Sequence, residues 1–141
     1  LKLAAEGAKV AILGTNCETG AATVEEIKRS TTSAHAAFYQ VDVSKTAQVE
    51  EVIKKILEEF GKVDVLVNNA GVTADQLLMK MSEEEWDRVL AVNLKSCYNT
   101  CRAVVRPMMK AKKGKIINIS SVVGLTGNPG QVNYAASKAG M

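Results

Sequence analysis

Apolar residues recur along this 141-residue chain in two rhythms. Short continuous runs alternate with longer stretches in which an apolar residue returns every three or four positions. The first rhythm marks strands buried on both faces, and the second marks helices with one face in a core. The predicted strands are "KVAILGT" (9–15), "AAFYQVDV" (36–43), "KVDVLVNNAG" (62–71) and "GKIINISSV" (114–122). Helices are predicted over "CETGAATVEEIKRS" (17–30) and "SKTAQVEEVIKKILEEFG" (44–61). In the second of these, Val49, Val52, Ile53, Ile56, Leu57 and Phe60 share a face. Ser44 is its expected N-cap, and Gly61 ends it. "SEEEW" opens a further helix with a capping box, Ser82 reaching forward and Glu85 reaching back. That helix is expected to run to about Lys113, with a kink or break at Pro107. A loop, "GLTGNPG" (124–130), leads to a last helix beginning at Tyr134.

Strand–helix alternation of this kind predicts an α/β fold, a doubly wound parallel sheet with helices on both faces. No linker, repeat or low-complexity segment divides the chain, so 1–141 reads as a single partial domain. "LKLAAEG" reads as the tail of a helix ended by Gly7, and a first strand and turn are expected ahead of it. The last helix stops about two turns in. The domain is therefore expected to be incomplete at both ends, with a central strand lacking and strand edges left open.

Composition narrows the function classes. The chain is 47% hydrophobic and 23% charged, an ordinary balance for a globular protein. Eighteen basic residues against 15 acidic ones give +3, too mild a charge to imply nucleic acid. No apolar run reaches the ~18 residues of a membrane span. Cys17, Cys97 and Cys101 show neither CxxC spacing nor a histidine partner, so they read as free thiols of a reducing compartment rather than a metal site. His35, in "STTSAHAAF", reads as a surface residue.

The candidate chemistry lies at the end of the chain. "YAASK" sets Tyr134 and Lys138 four apart, one above the other on a helix face. A phenol ordinarily has a pKa of about 10, and a nearby cation favours the phenolate. Such a pair suits proton delivery to an oxygen gaining charge, as when a carbonyl is reduced. The plainer alternative is a half-buried aromatic beside a surface charge. "NNAG" follows a strand and so lies at the carboxyl edge, where ligands bind in such sheets. Asn69, Ala70 and Gly71 permit close backbone approach, though a turn needs small residues in any case.

"NNAG" (68–71), Asn93 in "VNLKS", Ser121 in "NISS", and Tyr134–Lys138 thirteen residues further on together resemble the short-chain dehydrogenase/reductase family. The resemblance covers nearly the whole chain and implies a Rossmann-like fold. It implies that Tyr134 is the proton donor and that Lys138 both supplies the neighbouring charge and holds the nicotinamide ribose. Ser121 would hydrogen-bond the substrate oxygen, and Asn93 would organise a water linking Lys138 to solvent. Asn69, Ala70 and Gly71 would lie against adenosine and ribose, and Asp42 and Val43 against the adenine; capping of the next helix is the other reading of Asp42. Gly14 and Thr15 stand where the family selects its cofactor. No carboxylate is present at 14–16, which favours NADP (NADPH) over NAD. The family's glycine-rich TGxxxGxG turn is not in the sequence.

"LLMKMSEEEWDRVLAVNLKS", "RPMMK" and "SSVVGLTGN" carry a narrower resemblance, to members that reduce 3-oxoacyl groups on acyl carrier protein in fatty-acid synthesis. This implies a cytoplasmic enzyme with acyl carrier protein as partner, and a homotetramer built on the helices around 83–113. Arg102, Arg106, Lys110, Lys112, Lys113 and Lys115 either meet the acidic carrier or form a solvated helix end. The other readings are a family member acting on a sugar, steroid or small alcohol, and an inactive fragment of such an enzyme.

Overall fold

In the computed structural model, which describes residues 1–30 and 35–141, the alternation is realised as two parallel strand pairs. Residues 31–34, within the stretch expected to precede the second strand as a loop, lie outside the described residues. A short helix α1 (Lys2–Ala5) leads to β1 (Val10–Gly14), helix α2 (Cys17–Ser30) and β2 (Ala36–Gln40). β1 and β2 pair from Val10 opposite Ala36 to Gly14 opposite Gln40. Helix α3 (Thr46–Phe60) leads to β3 (Val65–Asn68). A 3-10 turn (Leu78–Lys80), α4 (Glu83–Leu90), a π-helical segment (Ala91–Lys95) and α5 (Ser96–Ala111) come next. β4 (Lys115–Asn118), α6 (Val123–Thr126) and α7 (Val132–Gly140) complete the order. β3 and β4 pair from Val65 opposite Lys115 to Asn68 opposite Asn118. Among the described residues no ladder joins β1 to β3.

One helix layer holds the two pairs together. Val41, Val49, Val52, Ile53, Ile56, Val104 and Met108 form the core between α3, α5 and the strands. Ala11 and Leu13 of β1 pack on it from one side, and Leu66 of β3 from the other. Each fully buried Val or Ile contributes roughly 1.5–3 kcal/mol. The opposite face of β1–β2 turns to α2, where Gly20 lies so close to the Phe38 ring that a Cβ would sit 2.2 Å away. On β3–β4 the alternate positions Val65, Val67 and Ile117 remain 41–49% exposed.

Several local expectations hold and several change. The Ser82–Glu85 capping box forms, at 3.2 and 2.9 Å. Gly61 ends α3 with φ +78°, the left-handed conformation that glycine adopts freely. Ser44 does not cap α3; the helix starts at Thr46, after Lys45, with no side-chain cap. The cause is Asp42, whose Oδ1 accepts the Ser44 N–H (2.9 Å) and hydroxyl (2.7 Å) and closes a turn first. Pro107 stays inside α5 without ending it, and the helical pattern is interrupted instead at 91–95. The last helix begins at Val132, two residues before Tyr134. No helix among the described residues is long and apolar enough to cross a membrane.

Candidate active site

Tyr134 and Lys138 share a face of α7, with the Lys138 Nζ 5.8 Å from the centre of the phenol ring. Lys138 is only 5% exposed, and its ammonium donates to the Ile119 carbonyl, just past β4, at 2.7 Å. The turn after β4 is tied back to the same helix by the Ser120 hydroxyl, which donates to the Lys138 carbonyl at 2.6 Å. α6 crosses α7 so closely that a Cβ at Gly124 would lie 2.8 Å from the Ala139 nitrogen. An ammonium carries three donors, and burying a cation is costly unless those donors are met. Among the described residues only the Ile119 carbonyl accepts from Lys138, and no carboxylate pairs with it.

Behind this pair stands Asn93, fully buried in the π-helical segment. Its Oδ1 accepts the Val72 N–H (2.8 Å), and its Nδ2 donates to the Val72 carbonyl (3.0 Å) and to the Ser137 hydroxyl (3.0 Å). Ser137 passes its own hydrogen to the Tyr134 carbonyl at 2.7 Å. The Asn93 side chain is thus committed to protein partners. Single π turns commonly mark functional sites because they displace backbone carbonyls from the helical ladder.

These elements enclose a cavity of about 330 Å3 lined by Asn69, Gly71, Thr73, Ser120, Tyr134 and Lys138, with Val72 and Ile119. It lies at the carboxyl ends of β3 and β4, the edge where sheets of this kind bind ligands. A Cβ at Gly71 would stand 3.7 Å from the Lys138 ammonium and 3.4 Å from Asn93 Oδ1, so the absent side chain keeps the space beside the lysine open. Ala70 is exposed between Asn69 and Gly71. Ser121 lies next to the cavity rather than in its wall, its hydroxyl oxygen accepting the Val123 N–H at 3.2 Å.

Thr15, Asp42 and Val43 are not in this cavity. They follow β1 and β2 at the carboxyl ends of the other strand pair. The Thr15 carbonyl accepts from Gln40 (3.2 Å), and the Val43 carbonyl from Asn99 (2.9 Å). The Asp42 carboxyl is held below its usual range, chiefly by the Ser44 hydroxyl, with Lys45 a lesser influence. A larger groove of about 760 Å3 runs along α4 and α5, past Leu90, Leu94, Tyr98 and Cys101 to Met141. Its walls hold none of the residues singled out for chemistry. Cys97 borders it too, with its thiol pushed up by burial. His35 is half-exposed and stacks edge-on against Phe60.

The basic run Lys110, Lys112, Lys113 and Lys115 sits at the amino end of β4, opposite the edge that bears the cavity. Arg102 faces Glu50 at 3.8 Å and Lys113 faces Asp64 at 3.9 Å. Ser120, Ser137 and Asn133 were not singled out from the sequence, and Asn68 entered only as the first residue of the NNAG motif. Asn68 accepts from Thr100 (2.7 Å) and donates to Asn118 (2.8 Å), a buried link signalled only by an asparagine at the end of an apolar run.

The sequence pattern of the family described as short chain dehydrogenase matches residues 1–141. The 3-oxoacyl-[acyl-carrier-protein] reductase FabG of Chlamydia muridarum is 55% identical over 141 residues, covering 99% of this chain and 56% of its own length. The protein of the same name from Staphylococcus epidermidis is 48% identical over 142 residues, covering 100% of this chain and 57% of its own. That from Thermotoga maritima is 53% identical over 103 residues, covering 73% and 42%. The chain spans a little over half the length of the first two relatives.

Proposed function

Because this chain belongs to the short-chain dehydrogenase family, we propose that the whole protein reduces 3-oxoacyl groups on acyl carrier protein to 3-hydroxyacyl groups, with NADPH as reductant, in cytoplasmic fatty-acid synthesis. The observation that carries the chemistry is the meeting of Tyr134 and Lys138 with Asn69 and Gly71 around one cavity. The substrate follows from the names of relatives 46–55% identical to it. A nicotinamide ribose fits the cavity on two grounds. Among the described residues Lys138 has donors without an acceptor, and Gly71 leaves room beside them. NADPH follows from positions 14–16, where a carboxylate would repel a 2′-phosphate and none is present.

A nicotinamide held beside Lys138 would supply hydride chemistry to the carbonyl carbon. Tyr134 gives its hydroxyl proton to the carbonyl oxygen as charge develops there. Lys138 holds the ribose hydroxyls and keeps positive charge beside the phenol. Ser121 turns its hydroxyl hydrogen to the same substrate oxygen. This is compatible with its present bond, in which Oγ is an acceptor. Asn93 fixes the Val72 wall and α7 against one another. Asn69, Ala70 and Gly71 lie along the ribose and adenosine, and Thr15, Asp42 and Val43 receive the far end of the dinucleotide. We assign a homotetramer to the full-length protein. On α5, Tyr98, Val105 and Met109 are 44–72% exposed along one face, while Val104 and Met108 fill the core.

Tyr134→Phe in the full-length enzyme tests the reading. It keeps the ring and removes the proton, so kcat should fall by at least ~10²–10⁴ with the circular dichroism spectrum unchanged. Near-normal turnover would remove Tyr134 from the role of acid. Wild-type enzyme that prefers NADH would overturn the cofactor.

A further inference from the structure

Asn133 is fully buried one residue before Tyr134. Its Nδ2 donates to the Ala74 carbonyl at 3.0 Å and to the Glu85 carbonyl at 3.4 Å. Its Oδ1 accepts the Tyr134 N–H at 2.7 Å. One side chain thus joins the segment after β3, the first turn of α4 and the start of α7. We propose that Asn133 is a positioning residue that clamps these three elements and so sets the Tyr134 phenol against the opposite wall of the cavity. The inference rests on the reading of Tyr134 as proton donor.

The partners determine the residue type. Two are carbonyls, which only accept, and one is an N–H, which only donates, so the site needs two donors and one acceptor. Asparagine supplies that set at this size. Aspartate would turn oxygen toward two carbonyl oxygens, and leucine would take this partner from the Tyr134 N–H and the Ala74 carbonyl, leaving the Glu85 carbonyl only its place in the α4 ladder. The Tyr134 N–H lies in the first turn of α7, where no intrahelical carbonyl is available to it.

The same two segments are also joined outside the core. The Gln76 N–H donates to the Gly130 carbonyl at 2.8 Å, and Gln131 Nε2 donates to Asp75 at 2.8 Å. Those bonds are partly or fully exposed, whereas the Asn133 side chain is fully buried and adds to the inner link that Asn93 makes from Val72 to Ser137. Its placement decides its leverage. Thr73, next to Ala74, and Tyr134, next to Asn133, both line the cavity. A slip of the clamp therefore moves both walls at once. Displacing a catalytic group by about 1 Å can cost on the order of 10²-fold in rate.

The test uses the full-length enzyme with Asn133→Ala and the isosteric Asn133→Asp, and with Val104→Ala as a control. Val104 is fully buried in the core on α5 and takes no part in the cavity. Amide hydrogen exchange at 74–76 should quicken in both Asn133 variants and stay at the wild-type rate in the control. Steady-state kinetics should show kcat down by about tenfold or more, with KM for the carbonyl substrate changed less than about threefold. The control should keep wild-type kcat. Unchanged exchange at 74–76 would overturn the clamp. Quickened exchange with a kcat equal to that of Val104→Ala would overturn positioning and leave Asn133 a structural residue. Wild-type enzyme that reduces no carbonyl would instead overturn the dehydrogenase reading of Tyr134, and the exchange arm would still decide the clamp.

Discussion

Asn68, Asn93, Asn99 and Asn133 are each at most 7% exposed, and each joins segments far apart in sequence. An amide can both donate and accept without carrying charge, so it meets buried backbone groups at lower desolvation cost than a carboxylate. Asn99, for example, donates to the Val43 carbonyl and accepts from Thr46. Asp42 shows the charged counterpart at a partly exposed position. Ser44→Ala removes the bond that chiefly depresses its pKa. The variant should lose about 1 kcal/mol at neutral pH. A depressed carboxylate stabilises the fold above its unfolded value of 3.8 and loses that contribution as pH falls through the lower, folded value. Stability curves of wild type and Ser44→Ala should therefore converge in acid; a gap that stays constant to pH 2 would deny the linkage. That Tyr134 and Lys138 share a helix face was legible from their four-residue interval. Asn133 was not, since its value lies in carbonyls 59 and 48 positions away that only folding brings near.

At the scale of elements, strands and helices were legible in kind and less so in extent. The third predicted strand, 62–71, contracts to Val65–Asn68 because pairing with β4 ends there and the chain turns to form the cavity wall. Apolar spacing alone did not reveal the π turn at 91–95, since one altered turn barely disturbs a helical stripe. Pro107 forfeits only the ladder bond from its own position to the Ala103 carbonyl, and α5 continues past it to Ala111. The basic run past α5 begins β4 and is separated from Ser121 by six residues, roughly 20 Å of extended chain. A carrier with a long flexible arm can bridge that span. Reversing Lys112 and Lys113 to Glu should raise KM severalfold for carrier-bound substrate, less so at high salt, and leave a small thioester analogue unaffected. Equal kinetics on both substrates would reduce the run to solvated surface.

For the whole molecule, the doubly wound alternation predicted parallel pairing, and parallel pairing is present. Its division into two pairs follows a gap in the ladder between β1 and β3. That gap bears on how these 141 residues melt on their own. Sheets usually unfold as one body because each strand is bonded to the next, whereas among the described residues no backbone bond joins β1–β2 to β3–β4. Side chains alone couple the halves, through Ile53, Ile56, Val104 and their neighbours. Ile53→Ala should cost about 2–5 kcal/mol. Emission from Trp86, the single tryptophan, reports α4, while far-UV circular dichroism reports all helices. The two denaturation curves should coincide in the wild-type chain and separate in Ile53→Ala, as thermodynamic coupling between the halves is lost; coincident curves in the variant would show that another route couples them. In these 141 residues a truncation between α3 and α5 therefore acts on the joint between two bodies as well as on the stability of each.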